Sequence, residues 1–286
     1  MRLTFLGTAA ATACPLPFCR CAACTAAREA GGKDCRARSS LLVNQDLLLD
    51  LGPDAPASAL RLGEDLSRVR YLLQTHAHSD HFDAGHLITR LAEYATADDE
   101  IAPLTLCASL PAAEALSAAL GREEPSASLL DEGWQARLRL RFHAAEPGKA
   151  LRLGHYHILP LPSAHDPAGG SLLYAIWDGK TALLYGTDSL FFDAAIWAAL
   201  RSFGHKLSCA ILDHTYGPDT PGQGHMNANQ VAEVARLLRA HHLLAEGGVV
   251  LATHLSHEGN PSHAALSAWA QPRGYAIAYD GLRLEI

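Results

Sequence analysis

At 286 residues, 49% hydrophobic and 19% charged, the chain can bury a large core and is not a disordered polymer. A net charge of −7, with no basic cluster beyond Arg36-Ala37-Arg38, argues against nucleic acid as a partner. No apolar run approaches the ~20 residues of a membrane helix, and Met1 to Gly7 lacks the apolar stretch of a signal peptide, so no membrane partner and a cytoplasmic location are expected.

Arg2 to Leu6 reads as a short strand, followed by a small-residue loop through Ala13. Cys19-Arg20-Cys21-Ala22-Ala23-Cys24 crowds three thiols together and runs into an alanine-rich helix, Ala22 to Ala30. Cys14, Cys35, Cys107 and Cys209 are scattered in apolar surroundings and read as small buried hydrophobes, not as a disulfide framework. Ser39 to Val43 and Leu47 to Asp50 are two strands around an Asn44-Gln45-Asp46 turn. A short helix, Ala55 to Leu62, precedes the strand Val69 to Gln74. Leu87, Ile88, Leu91 and Tyr94 at helical spacing predict a helix over Ala84 to Tyr94.

Leu104 to Ala108 reads as a strand, Ala112 to Leu120 as a helix and Glu123 to Glu132 as a polar connector. Alternation over Arg137 to Phe142 predicts a half-exposed strand with its arginines on a solvated face. Strands follow at His157 to Leu161, Leu172 to Trp177 and Thr181 to Tyr185, then a helix, Ala194 to Leu200. The apolar strand Leu207 to Asp213 ends in an acid, and Asn229 to His241 is an amphipathic helix. Val249 to Thr253, His263 to Ala270 and Tyr275 to Tyr279 close the chain as strand, helix and strand. Each half gives several strands and then alternates strand with helix, and no Gly/Ser/Pro-rich linker divides them. That pattern predicts one domain, 1–286, of two face-to-face sheets with helices outside.

The chemistry centres on His76-Ala77-His78-Ser79-Asp80-His81, where an apolar strand delivers three imidazoles and a carboxylate within six residues. On extended backbone His76 and His78 project to one side. A solvated surface loop has no need of a buried strand feeding it, whereas zinc, manganese and iron all take this nitrogen and oxygen mixture. Three later strand ends offer further ligands: His165 after Pro160-Leu161-Pro162, Asp188 after Tyr185-Gly186-Thr187, and His254 after Leu251-Ala252-Thr253. The count then closes on a two-metal centre. His76, His78 and His165 hold one ion, Asp80, His81 and His254 the other, and Asp188 bridges. Ions ~3.5–4 Å apart can hold a hydroxide and clamp a displaced oxygen.

With these residues in place, the chain resembles the metallo-β-lactamase superfamily over nearly its whole length. The resemblance implies an α/β (α+β) fold, an αββα four-layer sandwich, with the dinuclear site at one edge. Cys19, Cys21 and Cys24 are one ligand short of a tetrahedral zinc site, and His257, three residues after His254, is the candidate fourth. This cluster, paired with Thr253-His254-Leu255-Ser256-His257, is similar to the PhnP-type phosphodiesterases of phosphonate breakdown. That resemblance implies a structural zinc held by the cluster and docked near His257. It also implies two divalent ions in the active site, manganese or zinc, with iron or nickel as further options.

The same resemblance implies hydrolysis of small cyclic phosphodiesters of the ribosyl 1,2-cyclic phosphate type by a metal-bridged hydroxide. His225, in Gly224-His225-Met226-Asn227, would be the general acid, and Asp80 is a catalytic candidate as well as a ligand. Asp50 and Asp213 end strands and are expected to orient ligands or water, with His214 beside them and within reach of substrate. A lactonase or thioesterase, ribonuclease Z, PqqB and a non-catalytic binding protein are the alternatives. Ribonuclease Z depends on a basic arm that this acidic chain lacks, and PqqB does not retain the full ligand set. A small-molecule phosphodiester is the expected partner, and a homodimer is compatible with the sequence without being required by it. The chain departs from the family in Gly85 to Arg122 and Glu123 to Gly148.

Overall fold

The computed structural model describes residues 1–94 and 101–286; residues 95–100, inside the divergent Gly85 to Arg122 interval, lie outside the described residues. The first sheet takes β1 (Arg2–Gly7), β2 (Ser40–Val43), β3 (Leu47–Leu49), β4 (Tyr71–Leu73), β5 (Leu104–Ala108) and β6 (Leu140–Ala144). The second takes β7 (Leu151–Leu153), β8 (Tyr156–Pro162), β9 (Leu172–Trp177), β10 (Ala182–Gly186), β11 (Leu207–Asp213), β12 (Leu244–Thr253) and β13 (Ala276–Ile277). The last strand, β14 (Arg283–Glu285), returns to pair antiparallel with β1, so the sheet orders are β14-β1-β2-β3-β4-β5-β6 and β13-β12-β11-β10-β9-β8-β7.

Both sheets are built alike. An antiparallel run ends at β3 in the first and at β10 in the second, and every later strand pairs in parallel. The switch from antiparallel to parallel therefore falls at β3/β4 and at β10/β11. Ligands of open α/β sheets bind beyond the carboxyl ends of such parallel strands.

Side-chain alternation builds the layers. Leu41, Val43, Leu47, Leu49 and Leu73 face inward and meet Tyr174, Ile176, Leu183, Tyr185, Cys209 and Ile211 of the other sheet. The intervening Leu42, Leu48, Leu72 and Leu106 face outward against α2 (Ala55–Leu62), α3 (Gly85–Ile88) and α4 (Leu110–Glu123), which follow α1 (Ala22–Ala30). On the other side Leu184, Ala210 and Leu212 pack against α6 (Ala194–Ser202), α7 (Ala228–Ala240) and α8 (His263–Ala270), with α5 (Glu132–Arg137) between the two sets in the chain. Strands covered on both faces read as continuous apolar runs, and the result is the expected αββα sandwich.

Several expectations fail locally. The helix over Ala84 to Tyr94 shortens to α3 and a separate 3-10 turn, Ala92–Tyr94, because Leu87, Ile88 and Leu91 find the core while Tyr94 does not and is 62% exposed. Residues 132–137 are helical, not the end of a connector or the start of a strand. Asp131 accepts the Trp134 N–H as N-cap, and Arg137 stacks 3.8 Å over the Trp134 ring. That cap overrides the alternation, and the strand begins only at Leu140. The short strands β7 and β14 carry too little pattern to be read, and β12 begins before Val249, at Leu244. Cys107 and Cys209 are buried as expected, but Cys14 and Cys35 are only half-buried.

Candidate metal centre

The site lies beyond the carboxyl ends of β3, β4, β10, β11 and β12. Three of its residues, Asp50, Asp188 and His254, have φ of 62°, 50° and 61°, a left-handed conformation that costs a non-glycine residue of order 1–3 kcal/mol. Each follows a strand directly or within two residues and turns its side chain into the crevice instead of along the strand. Gly52 allows the Asp50 loop to lie against the histidine motif, because a Cβ there would run into the Asp80 carbonyl.

Two donor groups result. In the first, His76 Nε2 and His165 Nε2 stand 2.9 and 3.2 Å from His78 Nδ1. In the second, His81 Nε2 is 3.4 Å from His254 Nε2 and 3.2 Å from Asp80 Oδ2. Asp188 lies between them, with Oδ2 3.1 Å from His76 Nε2 and 2.7 Å from His81 Nε2, and Oδ1 2.8 Å from His254 Nε2. His76, His81, Asp188 and His254 are buried, as is Asp80, whereas His78 and His165 reach solvent.

These atoms suit divalent cations. His78 Nδ1 has two other ring nitrogens within hydrogen-bond distance, and one proton cannot satisfy all three. Asp188 Oδ1 is buried without a well-aligned hydrogen-bond partner, although His254 Nε2 is close. Lone pairs that converge in this way fit an imidazole and carboxylate ligand set. The charges agree. Burial works against ionising Asp188 and Asp80, but His254 and His81 outweigh it and hold both carboxyls well below their ordinary range. Conversely, Asp188 overcomes the burial of His81 and His254 and raises both, His254 to about 10. Burial lowers His78 and His165, which favours the neutral imidazole a metal needs.

The far ring nitrogen of four of the five histidines is also held. His81 Nδ1 donates to Asp50 Oδ2 at 2.8 Å, and His165 Nδ1 to the Gly224 carbonyl at 3.1 Å. His76 Nδ1 and His254 Nδ1 meet the hydroxyls of Thr75 and Thr215 at 2.9 and 2.8 Å. Asp50 and Asp213 thus occupy the positions expected of orienting carboxylates, and both are fully buried.

Asp213 holds the loop that carries His225: its Oδ1 accepts the Met226 N–H at 3.2 Å and its Oδ2 the His225 Nδ1–H at 3.0 Å. The His225 ring stacks on His254 with centroids 5.3 Å apart and lies 4.5 Å from the His165 ring. A capping box, Asn227 with Gln230, starts α7 immediately after this loop. His214 is the exception. It is buried, its Nε2 faces the Tyr275 hydroxyl at 3.0 Å, and it does not line the cavity. Its strand register turns it away from the side that Asp213 and Thr215 share.

A cavity of about 240 Å³ opens on the centre, lined by His78, Asp80, His165, Asp188, His225 and His254. Thr12, Tyr216 and Glu258 also line it, and the sequence offered no signal for these three. Thr75 and Thr215 also went unread, although each sits beside a ligand or an orienting acid in the chain.

The cysteine cluster forms a second site. Cys19, Cys21, Cys24 and His257 bring their ligand atoms within 4.8 Å of one another. Cys21 Sγ is 3.3 Å from His257 Nδ1 and accepts the Cys24 N–H, which with His257 lowers its thiol to about 6, while burial pushes Cys24 up to about 11. Three thiols and an imidazole at this spacing fit a tetrahedral zinc site.

Residues 45–246 match the beta-lactamase superfamily domain. No curated protein sequence matches the chain significantly. Among solved structures, a diphosphatase from the PhnP family is 23% identical with a TM-score of 0.70, over 100% of this chain and 97% of that one. Zinc-bound PqqB from Methylobacterium extorquens is 18% identical with a TM-score of 0.73, over 100% of both chains. The short form of human tRNase Z is 15% identical with a TM-score of 0.63, over 100% and 99%. The chain belongs to the beta-lactamase superfamily and has the metallo-β-lactamase fold, that of metal-dependent hydrolases.

Proposed function

We propose that the chain is a phosphodiesterase acting in the cytoplasm on small cyclic phosphodiesters, of the ribosyl 1,2-cyclic phosphate type found in phosphonate breakdown. His76, His78 and His165 would hold one divalent ion and Asp80, His81 and His254 a second, with Asp188 a ligand to both and manganese or zinc the ions of choice. Cys19, Cys21, Cys24 and His257 hold a structural zinc. Bound divalent ions supply Lewis acidity to the phosphoryl group and to the attacking water.

The observation that carries this reading is the placement of His225, which lines the cavity beside both donor groups with its Nδ1 committed to Asp213. Its Nε2 is the free nitrogen. Water adds its hydroxyl to phosphorus and releases its other proton to solvent, the P–O bond to the sugar oxygen breaks, and Nε2–H of protonated His225 gives its proton to the departing alkoxide. Asp213 keeps the ring oriented and stabilises the imidazolium before transfer. An acyl substrate with a stable thiolate leaving group has less need of that proton.

Cavity size supports a small molecule, and among the described residues no lysine or arginine lines it to hold an RNA backbone. A diphosphatase of the PhnP family shares this fold, which supports a phosphorus substrate. The test is turnover by metal-loaded protein of bis-(p-nitrophenyl) phosphate and of 1,2- and 2′,3′-cyclic phosphates, beside lactones and thioesters. Cleavage of the lactones or thioesters alone overturns the reading.

A further inference from the structure

The two orienting carboxylates reach more of the site than the imidazoles they touch directly. Asp50 accepts His81 Nδ1–H on Oδ2, and on Oδ1 it accepts both the backbone N–H and the hydroxyl of Thr75, at 2.8 and 2.9 Å. The same hydroxyl is 2.9 Å from His76 Nδ1. Asp213 repeats the arrangement. Its Oδ1 accepts the Thr215 backbone N–H and hydroxyl, each at 3.0 Å, and that hydroxyl is 2.8 Å from His254 Nδ1.

A hydroxyl has one proton to give, and a carboxylate only accepts. Bonded to Asp50, the Thr75 hydroxyl must accept from His76, which fixes the proton of His76 on Nδ1 and leaves the lone pair on Nε2. The same reasoning puts a proton on Nδ1 of His254 and leaves its Nε2 side to Asp188 and to an incoming ion. In both rings Nε2 is the nitrogen that meets Asp188. The two relays are crossed in the fold. Thr75 and His76 share the end of β4 and draw Asp50 from beyond the neighbouring strand β3. Asp213 and Thr215 share the end of β11 and draw His254 from beyond the neighbouring strand β12. One relay therefore serves each donor group.

We infer that Thr75 and Thr215 are paired positioning residues whose hydroxyls carry Asp50 and Asp213 to His76 and His254, each setting the affinity of a different ion of the pair. The inference rests on the dinuclear reading of the site. Valine keeps the shape of threonine without the hydroxyl, and takes from each buried Nδ1–H its close acceptor, leaving His254 only Asp213 Oδ2 at 3.5 Å. Serine restores the hydroxyl.

Full-length protein, stripped of metal and titrated with manganese or zinc, gives the two stepwise dissociation constants by calorimetry and chelator competition. Thr75→Val weakens one ion by roughly 10–100-fold and leaves the other near its wild-type value. Thr215→Val weakens the other ion, the double variant weakens both, and each Ser variant binds as the wild type does. Valine variants with wild-type constants at both ions overturn the relay while leaving the dinuclear site standing. Should a valine variant not fold, the Ser variants decide: a Ser variant that loses its ion also overturns the relay. Wild-type protein that takes up no ion at this site overturns both the relay and the function on which it rests.

Discussion

Asp213 stands 3.0 Å from Nδ1 of His225 and, through the same Oδ2, 3.5 Å from Nδ1 of His254. One buried carboxylate thus reaches both the proposed acid and a candidate metal ligand. The proposed acid and that candidate ligand are held by a single strand end, so small errors in that strand reach both.

His225→Ala is expected to lower kcat by about 10²–10⁴-fold on a substrate with an alkoxide leaving group. A p-nitrophenolate leaves without a proton, so bis-(p-nitrophenyl) phosphate should lose far less. Steady-state kinetics on both substrates, with metal content measured alongside, checks this. Equal losses on the two substrates contradict a role in protonation.

Removing the ions should destabilise the fold as well as stop turnover. The left-handed Asp50, Asp188 and His254 hold donors together at a conformational cost. At free ion concentrations near 100 Kd, binding stabilises the native state by about 2.7 kcal/mol, or roughly 5–10 °C in Tm for a chain of this size. Thermal melting with and without chelator reads the difference, and an unchanged Tm counts against ion binding by the native state.

Cys24→Ser should cost one zinc per chain without emptying the other site. Cys24 is buried, its Sγ accepts the Leu16 N–H, and Cys21 meets the C-terminal half at His257. Elemental analysis after manganese loading should show the zinc lost and the manganese retained. Parallel loss of both metals contradicts two separate sites.

His214 gives a pH-dependent contribution to stability. Burial pulls its pKa down to about 4. Its folded value lies below the unfolded one of about 6.5, so its contribution is complete above pH 6.5 and is lost as pH falls towards 4. The difference is of order 3 kcal/mol. His214→Gln should remove that part of the acid limb in metal-free unfolding curves between pH 4 and 6.5, and an unchanged limb rules it out.

Much of this was legible in the chain because strand ends announce themselves. The apolar runs before His76, His165, Asp188 and His254 each stop at a ligand type, and the fold brings those ends to one crevice. Asp50 and Asp213 were readable for the same reason. Thr75 and Thr215 were not, because a threonine beside a histidine or an aspartate is ordinary, and only the crossing of neighbouring strands gives these two a shared geometry. His214 misled because sequence adjacency to Asp213 says nothing about the face it takes: on a strand, neighbours point apart. The helix at Glu132 to Arg137 was hidden by alternating arginines that imitate a strand.

The most direct test of the central claim is turnover of a ribosyl 1,2-cyclic phosphate, followed by ³¹P NMR, with protein shown by elemental analysis to hold two active-site ions and one structural zinc. The account predicts ring opening to a phosphate monoester, abolished by chelation and slowed by about 10²–10⁴-fold in His225→Ala. Fully loaded protein that leaves this and other small phosphodiesters intact, tested with manganese, zinc, iron and nickel in turn, contradicts it.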